Sequence, residues 1–386
     1  MKPGSKRYDV AVVGAGVFGA WTAWHLQQAG QRVVLLDQYG PASSRASSGG
    51  DTRVIRMSYG PDGIYTRMSQ QSLQAWRRFF ARIERPELFR QTGVLWMASE
   101  GATAARQSIG QLEAAGVRHE VLATDELARR YPQIVVPAGG WAIYEPESGG
   151  LMARRAVQAV VADATRSGVR LQLDRVMPPR GEGRLDAITT AAGESISAGS
   201  YVFACGPWLG GVLPEVLAGR IFPTRQEVYY FGVPAGEARF AEGTMPIWMD
   251  FADQYYGFGD LDARGFKVAH DAHGPAIDPD TADRAPTRAG VEQAQKFLAL
   301  RFPALAGAPL VAAEVCQYEN SSNGDFIIDR HPGFDNVWIA GGGSGHGFKH
   351  GPAVGERVAG HVLEGGTVEP RFSLASKQAV QKREVH

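Results

Sequence analysis

The fold is decided near the N-terminus by the stretch YDVAVVGAGVFG (residues 8–19), which is completed by VVLLD at residues 33–37. The first stretch is typical of an apolar strand that runs through a glycine turn into a helix. The three glycines put no side chain between the backbone and a phosphate, and the positive end of the helix favours its charge. The second strand ends at Asp37, whose carboxylate can accept hydrogen bonds from the ribose hydroxyls of an adenosine. The pattern predicts a dinucleotide-binding unit; a glycine-rich turn without a ligand is the alternative.

The composition is that of a globular enzyme with two domains. The chain has 386 residues, 44% of them hydrophobic and 21% charged, which is more than one simple core needs. The number of Lys and Arg residues, 40, equals the number of Asp and Glu residues. No net field therefore favours nucleic acid or an anionic membrane. The apolar stretches are short and interrupted, so we expect no transmembrane helix.

Two features indicate the cytoplasm. Residues 1–7 are polar and basic and no apolar segment follows them, so no signal peptide is expected. The two cysteines, Cys205 and Cys316, suit a reducing compartment and make no disulfide framework. We expect a cytoplasmic monomer that binds no metal, no nucleic acid and no membrane.

The nucleotide pattern returns twice along the chain. Apolar segments run into glycine turns again near residues 200–208 and 336–347. Between these returns the chain carries short aromatic and β-branched strands, which favour an antiparallel sheet. We therefore expect an α/β fold in which a Rossmann-like nucleotide domain holds an inserted antiparallel-sheet substrate domain. The predicted boundaries are 1–87, 150–217 and 322–386 for the nucleotide domain, and 88–149 and 218–321 for the substrate domain.

The C-terminal glycine run favours a flavin over a nicotinamide. A nicotinamide dehydrogenase usually completes its nucleotide half before the substrate half begins, whereas here the run GGGSGHG stands at residues 341–347. A helix is expected to follow near residues 352–363. Its free N–H groups would stabilise negative charge on the pyrimidine edge of a reduced flavin. A plain connection between a strand and a helix is the alternative.

Several separated motifs resemble those of monomeric sarcosine oxidase, N-methyltryptophan oxidase and related FAD-dependent amine oxidases of the D-amino acid oxidase superfamily. They occur in the same order between about residues 8 and 363. The motifs are GDTRVIR (50–56), YYGF (255–258), GFK (265–267), VCQY (315–318), FIID (326–329) and GHGFK (345–349). The resemblance implies a glutathione-reductase-type FAD domain, oxidation of an N-methyl or cyclic secondary α-amino acid, and reduction of O2 to H2O2.

The resemblance also implies a covalent flavin. In the similar oxidases the cysteine of the VCQY motif, here Cys316, carries FAD through a thioether to the flavin 8α-methyl carbon. The attacking group is a thiolate, which needs stabilised negative charge on the flavin. Without the resemblance, a lone cysteine in an apolar strand would be interpreted as a core residue. That is our interpretation of Cys205.

Four cations in these motifs are candidates for catalysis. The resemblance places Arg53 beside the flavin ring, and Arg56 and Lys349 on the substrate carboxylate, which a guanidinium grips through two parallel hydrogen bonds. It assigns Lys267 a water near flavin N5 and the activation of O2, because a fixed cation lowers the barrier to superoxide. A solvated surface position is the alternative for each of them.

Two tyrosines and two departures complete the expected substrate site. Tyr256 and Tyr318 match tyrosines that line the substrate cavity, although core packing explains them equally well. The similar oxidases carry histidine where this chain has Gly49 and Asp271. A carboxylate at position 271 would change the local field and favour a different amine, which puts sarcosine itself in doubt. A β-bulge could instead leave His270 in that role.

The sequence therefore predicts an FAD-dependent oxidase of an N-methyl α-amino acid. The alternatives are an oxidase of a cyclic or bulkier secondary amino acid (pipecolate, proline or a glycated amino acid), an amine dehydrogenase with another electron acceptor, and a flavin-binding partner without catalysis. The residues expected to contact the cofactor are Gly14, Gly16, Val17, Phe18, Gly19, Asp37, Gln38, Ser47, Gly50, Thr52, Arg53, Val176, Cys205, Gly206, Trp208, Cys316, Gly343, Gly345, His346, Gly347, Phe348 and Lys349.

Overall fold

A computed structural model describes residues 8–381. Residues 1–7, which carry the signal-peptide expectation, and residues 382–386, the end of the predicted nucleotide domain, lie outside the described part. The first nine strands are β1 (Tyr8–Val13), β2 (Val33–Asp37), β3 (Arg53–Ile55), β4 (Phe89–Arg90), β5 (Val94–Ala98), β6 (Glu120–Leu122), β7 (Trp141–Glu145), β8 (Gly149–Leu151) and β9 (Arg170–Leu173). The following strands are β10 (Ala187–Thr189), β11 (Ser195–Phe203), β12 (Ile221–Phe231), β13 (Ile247–Asp250), β14 (Tyr255–Phe258), β15 (Phe266–His270), β16 (Leu310–Ser321), β17 (Ile327–Arg330) and β18 (Val337–Gly341). The helices are α1 (Val17–Gln28), α2 (Gly63–Arg82), α3 (Thr103–Ala114), α4 (Thr124–Arg130), α5 (Ala153–Arg166), α6 (Leu209–Val212), α7 (Pro214–Leu217), α8 (Arg288–Arg301) and α9 (Gly351–Glu364).

A seven-stranded sheet gathers the three nucleotide patterns. Its order is β17-β18-β11-β1-β2-β9, with β10 paired to β11. Neighbouring strands from β18 to β9 are parallel, whereas β17 and β10 pair in the antiparallel sense. Because parallel strands end at one edge of a sheet, the glycine turns that follow β1, β11 and β18 meet at that edge.

Helix α1 is packed tightly against this sheet and its neighbouring helices. Trp21 meets Trp24, Trp76 and Phe79 edge to face, with ring centroids 5.0–5.3 Å apart, a favourable geometry for aromatic pairs. A side chain at Gly355 of α9 would lie 2.6 Å from the backbone of Trp21. The close contact of α1 and α9 therefore requires glycine at position 355.

An eight-stranded sheet carries the candidate catalytic residues. Its order is β16-β12-β15-β14-β13-β5-β7-β6, and its pairs are antiparallel except for the parallel pair of β13 and β5. Phe266 and Val268 of β15 join the core beneath α8. Side chains alternate along a strand, so Lys267 faces the opposite side of the sheet.

A small sheet in the order β3-β8-β4 was not predicted. It places Arg53 at the start of a strand, where the sequence showed only two cations in an apolar setting.

The observed architecture confirms the predicted α/β fold class, while the domain boundaries stay a prediction. No helix within residues 8–381 is long and apolar enough to cross a membrane.

Candidate active site

A cavity of about 540 Å³ follows the edge at which the parallel strands end. The predicted cofactor residues that line it are Gly14, Gly16, Val17, Phe18, Asp37, Gln38, Ser47, Arg53, Val176, Cys205, Gly206, Trp208, Cys316, Gly343, Gly345, Gly347 and Phe348. Five other described residues of that prediction, Gly19, Gly50, Thr52, His346 and Lys349, are not among the lining residues. The structure thus brings most of the predicted set to one cavity.

The three glycines of the first turn have different tasks. Gly14 has φ +105°, and a Cβ there would lie 2.2 Å from the Ala204 carbonyl oxygen. A Cβ on Gly19 would lie 1.8 Å from the Gly14 oxygen. At Gly16 the nearest atom is Ser48 Oγ, at 3.5 Å. Gly14 and Gly19 therefore permit the chain to pack, whereas Gly16 leaves open space beside the first turn of α1 for a ligand.

The Asp37 carboxylate fixes this turn. Its Oδ2 accepts from the Ala15 N–H at 2.8 Å, and its Oδ1 accepts from the Tyr39 and Gly40 N–H groups, each at 2.8 Å. A carboxylate has about four acceptor sites. Asp37 lines the cavity and keeps capacity for a ribose hydroxyl.

One orphan hydroxyl indicates a polar ligand in the cavity. Ser47 Oγ is buried and has no hydrogen-bond partner among residues 8–381, although Ser47 lines the cavity. A buried polar atom without a partner is costly. Together with the open backbone at Gly16, this hydroxyl fits a ligand rich in phosphate and hydroxyl groups, as FAD is.

Arg53 joins the cavity wall to Cys316. Its Nη2 donates to the Ser47 carbonyl oxygen at 2.7 Å and to Cys316 Sγ at 3.1 Å, and its Nη1 donates to the Thr52 oxygen at 2.8 Å. A Cβ on Gly50 would lie 2.5 Å from Arg53 Nη1, so Gly50 makes room for the guanidinium. The cation therefore lies directly beside the sulfur that was predicted to bind the flavin.

The second cysteine has a different environment. Cys205 follows β11 and lines the cavity, and its Sγ lies 3.5 Å from the Val13 carbonyl oxygen. Burial raises the pKa of the Cys205 thiol, and the charges of Asp37 and Glu319 act in the same direction. A thiol with a raised pKa is a poor nucleophile at neutral pH.

Lys267 is a buried amine held by the segment that precedes Arg53. Its Nζ donates to Thr52 Oγ1 at 2.9 Å and to the Thr52 carbonyl oxygen at 3.1 Å, and it lies 4.6 Å from the centre of the Phe258 ring. Burial, followed by the charge of Arg53, lowers the pKa of Lys267 to about 7, while Glu314 acts in the opposite direction. Its charge therefore changes near neutral pH.

Arg56 is fixed between two aromatic rings. Its guanidinium lies 4.3 Å from the ring centre of Tyr59 and 4.4 Å from that of Trp96, and its Nη1 donates to the Ser58 carbonyl oxygen. The residue is 2% exposed. Stacking of this kind orients a planar cation.

Glu145 holds the segment after Arg56 in place, and sequence reasoning missed it. Its carboxylate accepts from the N–H groups of Met57 and Ser58 at 2.8 and 2.9 Å. It also accepts from the hydroxyls of Ser58 and Ser148, both at 2.6 Å. A glutamate at the end of a strand is usually solvent-exposed, so the sequence gives no indication that Glu145 holds the segment after Arg56.

Lys349, near the C-terminal end of the chain, contacts Tyr59, on whose ring Arg56 also lies. Its Nζ donates to Tyr59 Oη at 2.9 Å and to the His346 carbonyl oxygen at 3.1 Å. Burial, then the charge of Arg56, holds the pKa of Lys349 well below its usual range. Tyr59 Oη is also 2.9 Å from His350 Nε2. Tyr59 and His350 were not predicted, and His346 belongs to this hydrogen-bonded group rather than to the wall of the cavity.

Asp271 and Tyr318 face the same space. Tyr318 Oη donates to Asp271 Oδ1 at 2.9 Å. Burial raises the pKa of the Asp271 carboxyl to about 6, whereas the Tyr318 hydrogen bond and the charges of Arg56 and Lys349 lower it. Burial, followed by the charge of Asp271, raises the pKa of Tyr256 to about 12. We call these five side chains the substrate group: Arg56, Tyr256, Asp271, Tyr318 and Lys349.

His270 is not part of the substrate group. Strands β14 and β15 pair regularly, with Tyr255 opposite His270 and Tyr256 opposite Ala269, so the bulge considered above is absent from this described pair. The His270 ring is exposed and stacks on Tyr255 at 4.6 Å. The alternative in which a bulge leaves His270 in the histidine role is therefore contradicted; Asp271, directly after β15, points to the side opposite His270 because side chains alternate along an extended chain.

Two further positions complete the site. A Cβ on Gly49 would lie 1.9 Å from the Ser43 carbonyl oxygen, so the local chain path excludes a histidine there. Glu319 lines the cavity and its Oε1 accepts from the Gly342 N–H at 2.7 Å. Burial raises the pKa of Glu319 to about 7. Sequence reasoning missed Glu319 because its partner, the C-terminal glycine run, comes from a distant segment.

The parallel sheet with its glycine turns, and the cavity at the edge where its strands end, are typical of a dinucleotide-binding protein. The FAD dependent oxidoreductase family matches residues 9–360. The chain is 32% identical to a monomeric sarcosine oxidase of Bacillus sp. (strain NS-129), over 99% of this chain and 100% of that one. It is 29% identical to an N-methyl-L-tryptophan oxidase of Salmonella arizonae, over 95% and 97% of the two chains. The structure of L-proline dehydrogenase from P. horikoshii superposes with a TM-score of 0.82 at 21% identity and covers 96% of this chain and 97% of that one.

The chain belongs to the FAD-dependent oxidoreductases, and its resemblance to the sarcosine and N-methyltryptophan oxidases is confirmed. The same comparisons confirm the prediction that the chain is an FAD-dependent enzyme of the amine oxidoreductase class. The likeness to the proline dehydrogenase supports the fold alone.

Proposed function

We propose that this enzyme is an FAD-dependent oxidase of secondary α-amino acids, with N-methyl amino acids as its first candidate substrates. The observation that carries this proposal is the pairing of Arg56 and Lys349 beside Tyr256 and Tyr318. Two amino acid oxidases, named above, are similar to the chain over nearly its whole length. The amine would lose two electrons to give an imine, which water cleaves to an aldehyde and an amine, and O2 would become H2O2.

Arg56 and Lys349 are suited to a substrate carboxylate. Both are buried, at 2% and 3% exposure, and buried cations require a countercharge. The rings of Tyr59 and Trp96 fix the Arg56 guanidinium, which matches the planar geometry of a carboxylate. Amines that lack a carboxylate would not gain the charged hydrogen bonds that Arg56 and Lys349 offer, so the site discriminates against them.

The cofactor would be held by backbone and by Cys316. FAD, when bound, supplies the two-electron acceptor for the carbon–hydrogen bond next to the substrate nitrogen. The open backbone at Gly16 and the Ser47 hydroxyl would hold its polar groups. Cys316 would form the thioether bond to the flavin, since the Arg53 guanidinium at 3.1 Å stabilises negative charge on the sulfur.

Lys267 would serve the reaction with O2. The first electron transferred to O2 creates negative charge, and a fixed buried cation stabilises it. Its two hydrogen bonds to Thr52 hold the amine in one position.

We also propose that the enzyme acts as a cytoplasmic monomer. Sedimentation of the purified holoenzyme tests its oligomeric state.

The cofactor linkage is tested by acid precipitation of the holoenzyme. The yellow colour should stay with the precipitated protein and leave it in Cys316→Ser. The matched control, Cys205→Ser, changes the other cavity-lining cysteine and should keep the colour. Free flavin in the supernatant of the unaltered protein would contradict the covalent link without contradicting the fold.

The substrate class is tested with a panel of amino acids and a peroxide assay. The panel comprises sarcosine, larger N-methyl amino acids, pipecolate, proline, a glycated amino acid and a simple N-methyl amine without a carboxylate. H2O2 is expected from carboxylate-bearing secondary amines. Flavin bleaching without reoxidation by O2 would indicate a dehydrogenase. No bleaching by any member of the panel would contradict the proposed function.

A further inference from the structure

Asp271 is a negative group in a site built otherwise from positive and neutral ones. Four groups face it from four different segments: Tyr318 on β16, Tyr256 on β14, Arg56 after β3, and Lys349 before α9. The imidazole of the neighbouring His270 is turned to the other side of the sheet, against Tyr255. The proposed carboxylate-binding pair therefore has its own carboxylate in the same space.

An α-amino acid has the complementary arrangement of charges. In neutral water it is a zwitterion, with one carbon between the carboxylate and the ammonium group. Arg56 and Lys349 suit the first group, and a carboxylate such as Asp271 suits the second, because hydrogen bonds between charged partners are the strong ones. If Asp271 were only a countercharge for Arg56 and Lys349, it would repel the substrate carboxylate without binding the ammonium group. Ligands with and without an ammonium group therefore distinguish the two roles.

We propose that Asp271 binds the secondary ammonium group of the substrate and accepts its proton. This inference rests on the proposed function and assigns the enzyme a residue that delivers the neutral amine. In this step a nitrogen–hydrogen bond breaks, an oxygen–hydrogen bond forms on Asp271, and the electron pair stays on the nitrogen. The proton passes to water when the product leaves.

The surroundings favour this transfer in two ways. First, burial and a nearby guanidinium disfavour an ammonium charge, as the lowered pKa of Lys349 shows for an amine in the same group. Second, the raised pKa of Asp271, about 6, makes this carboxylate a better proton acceptor than a solvated one, while it is still ionised at pH 7. Tyr318 keeps the acceptor oxygen in place.

Binding of two matched ligands to the holoenzyme tests the charge assignment without turnover. The probes are α-aminoisobutyrate and pivalate, which differ by an ammonium in place of a methyl group. Neither carries a hydrogen on a carbon attached to nitrogen. In Asp271→Asn, calorimetry should show α-aminoisobutyrate binding weaker by about tenfold or more and pivalate binding equally well or tighter. Equal changes for both ligands would show that Asp271 is only a countercharge and would overturn the proposal.

The pH dependence of anaerobic flavin reduction tests the proton transfer. With the best secondary amine of the panel, the rate in the unaltered enzyme should fall as the pH drops through about 6, because Asp271 then becomes protonated. In Asp271→Asn this limb should move toward about 10, the pKa of an alkylammonium in water, with a loss of ~10²-fold or more at pH 7. An unchanged limb would overturn the proposal.

Further variants separate this role from structural damage. Tyr318→Phe removes the hydrogen bond that lowers the pKa of Asp271, so the acidic limb should move to higher pH. Asp271→His restores a group that can accept a proton and should recover part of the rate at pH 7; no recovery while flavin is fully retained would count against proton acceptance. Asp125→Asn, on the exposed side of α4, removes the same charge and should change nothing. Absence of flavin reduction by every amine in the unaltered enzyme would instead be a failure of the proposed function.

Discussion

The cofactor cavity and the substrate group are built from different materials. The cavity lies where three parallel strands end, and several glycines of the turns line it together with side chains such as Asp37, Arg53 and Glu319. The substrate group consists of charged and phenolic side chains that come from five separate segments. Main-chain groups do not titrate, whereas buried amines and carboxyls change charge with their surroundings.

Because of this difference, the two regions respond differently to substitutions and to changes of charge. The glycine turns of the cavity depend on chain geometry, so they are sensitive to the addition of a single methyl group. A side-chain site tolerates small changes of shape but responds to any change of charge. The predictions below test this contrast, from the largest expected effect to the smallest.

Gly14→Ala and Gly16→Ala should separate folding from ligand binding. At Gly14 the new methyl group would overlap the Ala204 oxygen, 2.2 Å away, and φ is +105°. We expect a loss of ~3 kcal/mol or more in the free energy of unfolding and loss of bound FAD. At Gly16 the backbone is extended, with φ −73°, so only FAD affinity should fall. Denaturant unfolding and flavin content measure both effects; equal destabilisation would contradict the division of tasks between the glycines.

Lys267→Met should slow the reaction of the reduced enzyme with O2 by ~10²-fold. The reduction of the flavin by substrate should change little, because the substrate group keeps its charges. In the unaltered enzyme the rate with O2 should fall as the pH rises through about 7, since Lys267 loses its charge there. Stopped-flow measurement of each half-reaction checks this result. Lys296→Met, on the exposed side of α8, is the control, and a pH profile that survives in Lys267→Met would assign the effect to another group.

Tyr59→Phe should have the smallest effect. The change removes the hydroxyl that accepts from Lys349 at 2.9 Å but keeps the ring beneath Arg56. One hydrogen bond to a cation is lost, so carboxylate ligands should bind ~5-fold more weakly while the maximal rate is nearly kept. Pivalate titration of the holoenzyme measures the affinity. Tyr59→Leu, which also removes the ring, should be clearly worse; equal effects would show that the hydroxyl alone matters.

The predicted cofactor site was largely accessible to sequence reasoning. Gly14, Gly16 and Asp37 lie within one short segment, and their spacing is set by a strand, a turn and a helix that are neighbours in the chain. Local geometry of this kind is encoded by local sequence. The orphan Ser47 hydroxyl, in contrast, is recognisable only once the surrounding chain is in place.

The substrate group shows where such reasoning fails. The choice between His270 and Asp271 depends on whether β14 and β15 pair with or without a bulge, and one residue of register turns a side chain to the opposite face of a sheet. The supporting residues Glu145 and Glu319 are acidic side chains whose burial depends on distant partners. Nothing in their neighbouring residues distinguishes them from solvent-exposed ones.

By itself the sequence determined that the chain has a dinucleotide-binding α/β fold, and its motifs determined the resemblance to flavin-dependent amine oxidases. The resemblance had placed Arg56 and Lys349, almost three hundred residues apart, on one substrate carboxylate, and only the tertiary structure decided that Asp271, and not His270, shares their space. The physical reason is range: hydrogen bonds of a turn act between near neighbours in the chain, whereas burial and Coulomb interactions act between any groups that folding brings together.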